Sequence, residues 1–263
     1  MSLQNFQYPL VSVIIRTYRW QKTLARALQS VYNQDYPSLQ VVVVMDETHN
    51  KETEAIIDKF RHQDSTLIFI KNTKTLYQTQ TLIVWRKYSQ YARYIAILDD
   101  DDYRIDSKKI SQQVIYLESH PDCAIVWTHT EIVDLSEKTL FIRKDPPEDM
   151  SIRRYMLEWS QYIHSSVLWR TAAVDSLGWY LTKRNGAEDY ECMLRVGTSY
   201  KFGMLSAVMT AYTINPKGVT RQKMFAQCLL SLRLAFIYRH HYPRDRKTFF
   251  KPWLRYIKHL LSI

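Results

Sequence analysis

Residues 94–103 read Tyr94-Ile95-Ala96-Ile97-Leu98-Asp99-Asp100-Asp101-Asp102-Tyr103, or YIAILDDDDY. An apolar run ends in four consecutive carboxylates. The run is short and bounded, which predicts a strand buried on both faces. Like charges a few ångströms apart repel by ~1 kcal/mol even in bulk water, and by more near a protein surface. Four aspartates at a strand end are therefore costly unless a cation offsets them, and hard divalent cations take carboxylate oxygens. The plainer alternative is a solvated acidic turn before the helix that starts near Ser107.

Similar buried runs precede this one. Leu10 to Ile15, Val41 to Val44 and Leu67 to Ile70 read as strands, and Ala124 to His129 as a later one. Between them the spacing predicts helices over Gln21–Tyr32, Lys51–Arg61, Gln78–Tyr91 and Ser107–His120. Strands alternating with helices of this length imply a parallel α/β sheet. Open sheets of this type bind ligands beyond the carboxyl ends of their strands. Three polar turns share that edge: Arg16-Thr17-Tyr18, Asp46-Glu47 and Asp99 to Asp102.

The second half is less regular. Asp145 to Asp149 reads as a loop, Ser151 to Trp159 as the start of a helix, and Ser166 to Trp169 as a short apolar element. Glu188 to Val196 reads as a helix, Gly203 to Ile214 as extended chain, and Phe225 to Tyr238 as an apolar helix. Glu188 and Asp189 form a second acidic pair at a helix N-terminus, where an ionised carboxylate is stabilised. Such a group can act as a general base towards a hydroxyl. His164 precedes a short apolar strand, and the bland reading is a structural histidine. Trp159, Tyr162, Trp169, Trp179 and Tyr180 read mainly as core, with some available to stack on sugar rings.

Composition narrows the chemistry. The chain has 263 residues, 46% of them apolar, which suits one large domain or one domain with an appendage. Five glycines leave no glycine-rich phosphate loop, so a phosphate would be held by a metal, by basic side chains or by a helix N-terminus. Cys123, Cys192 and Cys228 are far apart, which argues against disulfides and a structural zinc site, and for a cytoplasmic setting. The net charge is +10, and residues 239–263 carry seven Lys or Arg against one Asp, hence +6. That bias calls for an anionic partner. No recognition motif supports nucleic acid.

Three segments in order resemble the family-2 glycosyltransferases, which have the GT-A fold: Val11 to Thr53, Tyr94 to Tyr103, and Ala187 to Val196. The resemblance covers roughly residues 10 to 220. It implies a Rossmann-like, mostly parallel central sheet flanked by helices, with a helical basic extension. The implied division is a GT-A domain over 1–220, with a donor half about 1–130 and an acceptor half about 131–220, and an extension over 221–263. It also implies an inverting transfer of sugar from a nucleoside-diphosphate sugar to a hydroxyl on a glycan or lipid-linked acceptor, in surface-polysaccharide or lipid-linked glycan synthesis.

Site residues follow by matched position. Arg16, Thr17 and Tyr18 match the nucleotide-sugar loop, with Tyr18 packing on the nucleobase. Asp46 matches the acid that reads the base edge. Asp99 and Asp100 lie near ribose and diphosphate. Asp101 matches the principal ligand of Mn²⁺ or Mg²⁺, with Asp99 beside it. Asp189 matches the general base and Glu188 its neighbour. Asp102 is left as the aspartate expected to tolerate replacement best.

The chain departs from the family pattern at several positions. Arg16 stands where proline is frequent, Arg19 for asparagine, Met45 for an acid, and Glu47-Thr48 for Gly-Ser. Tyr212 to Asn215 occupies a frequent Tyr-Arg-x-His. Arg86 and Lys87 are candidates for replacing a lost phosphate contact. These departures motivate a second reading, a catalytically degenerate glycosyltransferase-like scaffold at the membrane. A nucleotidyltransferase would need a glycine-rich first turn, which is missing. Phe249 to Leu261 mixes aromatics with bases and fits a helix lying on an anionic membrane surface. The expected location is cytoplasmic, peripheral on the inner face of the membrane.

Overall fold

The computed structural model describes residues 8–18, 21–46, 50–72, 86–158, 162–179, 187–215 and 224–243. Among these, nine strands form one sheet in the order β3-β2-β1-β4-β8-β6-β9-β5, with β7 pairing β6. The first half is the alternating pattern the sequence predicts. Strands β1 (Val11–Thr17), β2 (Leu39–Met45), β3 (Ile68–Lys71) and β4 (Tyr94–Asp99) are parallel neighbours. Helices α1 (Gln21–Tyr32) and α2 (Lys51–Gln63) connect the first three. Asn50 caps α2 by accepting from the Thr53 N–H at 3.0 Å.

The strands read as near-continuous apolar runs because both faces are covered. Val11, Val13, Ile15, Val41 and Val43 pack with Leu24, Leu28 and Val31 of α1. The intervening residues Ile14, Val42, Val44, Ile95 and Ile97 face a second core. Period-two alternation thus assigns each strand to two cores at once.

Beyond β4 the sheet becomes mixed. A two-residue strand β5 (Tyr103–Arg104) follows the acidic stretch, then α3 (Lys109–Ser119) and the long β6 (Cys123–Val133). Strand β7 (Thr139–Arg143) hairpins back onto β6. Then come α4 (Asp149–Tyr155), a 3₁₀ turn at His164–Ser166, β8 (Leu168–Arg170), α5 (Thr171–Leu177), α6 (Glu188–Val196), β9 (Lys201–Thr213) and α7 (Met224–Ile237). β8 is antiparallel to both β4 and β6, whereas β9 runs parallel to β6. The short β5 and β7 and the helix α5 lack a readable period in the sequence.

Trp169 and Tyr162 are core residues, as read from the sequence. Trp159, Tyr180, most of the expected 78–91 helix and the basic 249–261 segment lie outside the described residues; residues 86–88 are helical. The three cysteines are buried and form no disulfide among the described residues.

Candidate active site

The carboxyl ends of β1, β2 and β4 meet at one edge because their registers align. Arg16 pairs with Val44 on one side and Asp99 on the other. The Asp46 N–H donates to the Thr17 carbonyl at 3.0 Å, and the Asn72 N–H to the Met45 carbonyl at 3.1 Å. Asp46 is only 6% exposed, and its Oδ1 accepts from Asn72 Nδ2 at 3.1 Å. Tyr18, by contrast, is 37% exposed, and its N–H donates to Asp100 Oδ2 at 3.2 Å. Arg16, Thr17, Tyr18, Asp46, Asp99 and Asp100 are therefore brought to one edge.

The four aspartates form a tight turn between β4 and β5, closed by the Asp102 N–H on the Asp99 carbonyl at 3.1 Å. Geometry makes them unequal. Asp102 is fully buried and accepts from Ser165 Oγ at 2.5 Å and from the Thr213 N–H at 2.8 Å. Burial, then the charges of Asp101 and Asp99, raise its carboxyl well above the ordinary range. Asp100 faces Tyr18, and burial pushes it up to about 8; the Thr17 hydroxyl opposes that, while Asp101 and Asp99 add to it. Asp101 is raised to about 6, first by burial and then by Asp99, with Arg16 and Arg26 opposing. Asp99 lies 3.7 Å from Arg16 Nη2.

The expectation that Asp102 tolerates replacement best is overturned. It is the buried hub of the turn, joining β4, the 164–166 turn and β9. Removing its carboxyl orphans two buried donors.

The main chain of the turn is gripped separately. The Asp101 carbonyl accepts from Arg26 Nη2 at 2.7 Å and from Thr213 Oγ1 at 2.5 Å. Arg26, on α1, also stacks over the Tyr103 ring at 4.3 Å and pairs with Glu137 at 2.6 Å. The backbone is thus fixed without using the Asp101 carboxylate, which forms no ion pair among the described residues. Asp99 and Asp101 are the two aspartates that keep partial exposure. Among the described residues no three His, Cys, Asp or Glu side chains assemble a complete metal cage. Two hard oxygen donors on a clamped backbone fit a divalent cation whose remaining positions are filled by phosphate and water.

On the other side, α6 opens with Glu188 and Asp189. Glu188 is buried, at 5% exposure, whereas Asp189 is partly exposed. The Asp189 carboxylate makes no hydrogen bond or ion pair among the described residues. Its backbone carbonyl accepts from Tyr162 Oη at 2.9 Å. Three residues later in the chain, Ser165 touches Asp102 and accepts from the Asp99 N–H at 3.1 Å. The 162–165 segment therefore contacts both acidic elements.

Several residues of this network carry no readable signal in the sequence. The sequence draws attention to His164, but its neighbour Ser165 makes the contacts to the acidic turn. Thr213 and Arg26 act from β9 and α1. Arg86, a candidate phosphate contact, is engaged by Asp175 at 2.9 Å through Nε. Two buried cations were also missed. Arg104 is 5% exposed, none of its guanidinium nitrogens has a hydrogen-bond partner among the described residues, and burial lowers it to about 9. Lys109, fully buried, donates to Gln113 Oε1 at 2.8 Å; burial, then the Arg104 charge, hold it well below 10.5.

The chain is similar to known glycosyltransferases in sequence and in fold. The model of glycosyl transferase family 2 matches residues 12–178, well over half of the chain. An uncharacterized glycosyltransferase of Methanocaldococcus jannaschii is 27% identical over 230 residues, 83% of this chain and 77% of that protein. The UDP-Glc:alpha-D-GlcNAc-diphosphoundecaprenol beta-1,3-glucosyltransferase WfaP of Escherichia coli is 28% identical over 227 residues, 81% of each. Among solved structures, a Pyrobaculum calidifontis mannosyltransferase in complex with GDP-Man and Mn²⁺ is similar with a TM-score of 0.68 at 18% identity, covering 95% of this chain and 69% of that one. S. aureus TarS 1–349 in complex with UDP-GlcNAc also reaches 0.68, at 17% identity, covering 97% of this chain and 73% of that one.

Proposed function

The chain belongs to glycosyl transferase family 2, and from that premise we propose a metal-dependent, inverting transfer of sugar from a nucleoside-diphosphate sugar to a hydroxyl acceptor. The observation that carries the reading is the division of labour in the Asp99–Asp102 turn. Asp102 is tied inward to Ser165 and Thr213 and Asp100 holds the Tyr18 N–H, while Asp99 and Asp101 stay partly exposed at the strand edge that also carries Tyr18 and Asp46.

In this reading Tyr18 stacks on the nucleobase, and Asp46, oriented by Asn72, accepts from its edge. Arg16, Thr17, Asp99 and Asp100 line the ribose and diphosphate. Asp101, with Asp99, would hold Mn²⁺ or Mg²⁺. When bound, that cation supplies positive charge against the departing diphosphate. Asp189 takes the proton of the acceptor hydroxyl, with Glu188 beside it at the positive end of α6. The acceptor oxygen forms its bond to the anomeric carbon from the face opposite the diphosphate. The carbon–oxygen bond to the diphosphate breaks, and its electron pair leaves with the nucleotide. Configuration inverts.

WfaP is named for a diphosphoundecaprenol-linked acceptor, and that likeness supports a glycan or lipid-linked acceptor here. The basic 249–261 segment supports a peripheral position on an anionic membrane surface. The GT-A unit is taken to span 1–220 and the extension 221–263. Calorimetry with UDP and GDP, each with Mn²⁺, tests the reading. Binding of one nucleotide that weakens strongly on metal removal supports it. No binding of either would favour the degenerate scaffold.

A further inference from the structure

Helix α7 has two faces, and both are apolar. The inner face carries Leu234 and Ala235, fully buried in the same core as Tyr190, Cys192 and Leu194 of α6. Tyr238 Oη donates to Glu191 Oε1 at 2.6 Å, and Tyr242 Oη to the Leu194 carbonyl at 2.6 Å. The contact is close: a Cβ at Gly197 would meet the Tyr242 hydroxyl and the Phe202 ring. α7 is thereby fastened to the helix that begins with Glu188 and Asp189.

The outer face is the unusual one. Phe225, Leu229, Phe236 and Ile237 are 43–59% exposed. At 3.6 residues per turn they fall, with exposed Arg233, in one stripe about 120° wide, opposite the buried side. Arg239 lies over the Phe236 ring at 4.0 Å. The sequence then continues with Arg244, Arg246, Lys247, Lys251, Arg255 and Lys258 against one Asp245. Fourteen residues are too few to cross a bilayer, which needs ~20, and no helix among the described residues is long and apolar enough to do so. A contiguous exposed apolar stripe marks an interaction site rather than ordinary surface. An apolar stripe with arginines in and beside it, followed by a cationic segment, matches in charge and shape the boundary of an anionic lipid layer.

We propose that α7 is a docking helix for an anionic bilayer surface, with Leu229, Phe236 and Ile237 entering the headgroup boundary and Arg233 and Arg239 meeting lipid phosphates. Its inner face then holds α6 at the membrane, and Glu191, the residue Tyr238 grips, lies two positions after Asp189. The consequence for a lipid-linked acceptor rests on the functional reading above; the docking itself does not.

The test is vesicle co-sedimentation of the full chain, using phosphatidylglycerol–phosphatidylcholine vesicles and pure phosphatidylcholine vesicles. The wild type should bind the anionic vesicles at least tenfold more tightly than the neutral ones, and less tightly in high salt. Leu229→Gln/Phe236→Gln/Ile237→Gln should weaken that binding at least tenfold while keeping the far-UV circular dichroism and the donor affinity. Arg233→Glu, a single change at an exposed position, should weaken it as well. Wild-type-like binding by both variants overturns the proposal and assigns the membrane contact to the basic segment. A wild type that ignores anionic vesicles also overturns it, as does a wild-type dimer that the triple variant dissociates. A chain that binds vesicles through α7 but binds no nucleotide leaves the docking standing and sinks only the functional reading.

Discussion

Ser165 sits between two aspartates of the acidic turn: its hydroxyl donates to Asp102 Oδ2 at 2.5 Å and accepts from the Asp99 N–H at 3.1 Å. Ser165 and Asp102 are both fully buried, so the pair sets the shape of the turn from inside. Ser165→Ala orphans both partners at once. The expected loss is roughly 1–3 kcal/mol, seen as a lower urea midpoint, together with weaker donor binding. Asp102→Ala should be worse than Asp101→Ala in stability. Equal stabilities for the two aspartate variants would contradict the assignment of Asp102 as the hub.

Arg26 fixes the Asp101 carbonyl from α1 while its plane lies on Tyr103. A lysine cannot reproduce a planar fork that also stacks. Arg26→Lys should therefore weaken donor binding nearly as much as Arg26→Ala, with both variants folded. Calorimetry of nucleotide binding checks this. Full rescue by lysine would reduce Arg26 to a simple positive charge.

Lys109 gives a pH dependence with a definite sign. Its amine is held well below 10.5 in the folded chain, chiefly by burial. Between that depressed value and 10.5 the unfolded chain binds the proton and the folded one does not. Stability therefore rises with pH across this window, by up to ~1.4 kcal/mol per unit. Urea unfolding at a series of pH values should show the slope in the wild type and its loss in Lys109→Met. The same slope in both proteins would place the effect elsewhere.

Metal removal separates the aspartates by role. Chelation should stop transfer, and Mn²⁺ or Mg²⁺ should restore it. Asp101→Asn should raise the cation concentration needed at least tenfold without lowering the melting temperature of the metal-free protein, because its carboxylate forms no ion pair among the described residues. Unchanged metal dependence in Asp101→Asn would remove it as the principal ligand.

Much of the candidate site's strand-end edge is legible in the sequence because it follows from buried parallel strands. Val41 to Val44 and Ile95 to Leu98 are apolar on both faces, and whatever follows them must emerge at the ligand edge. Arg16, Tyr18, Asp46 and the aspartates are found that way. What the sequence hides is long-range satisfaction of polar groups. Asp102 looks like the spare carboxylate until its partners are known, and they lie 63 and 111 residues away. β5 is too short to show a period, and β7 exposes Leu140, Phe141 and Ile142 in a row, so neither reads as a strand. Arg104 and Lys109 look like surface residues, since buried cations have no local signature.

In the proposed reaction, Asp189 removes the acceptor proton while the donor is held elsewhere. Its most direct test is Asp189→Asn, with sugar transfer and donor affinity measured on the same preparation in the presence of Mn²⁺. Transfer should fall by ~10²–10⁴-fold, the usual contribution of a general base, with donor affinity unchanged. Transfer at the wild-type rate would contradict the account.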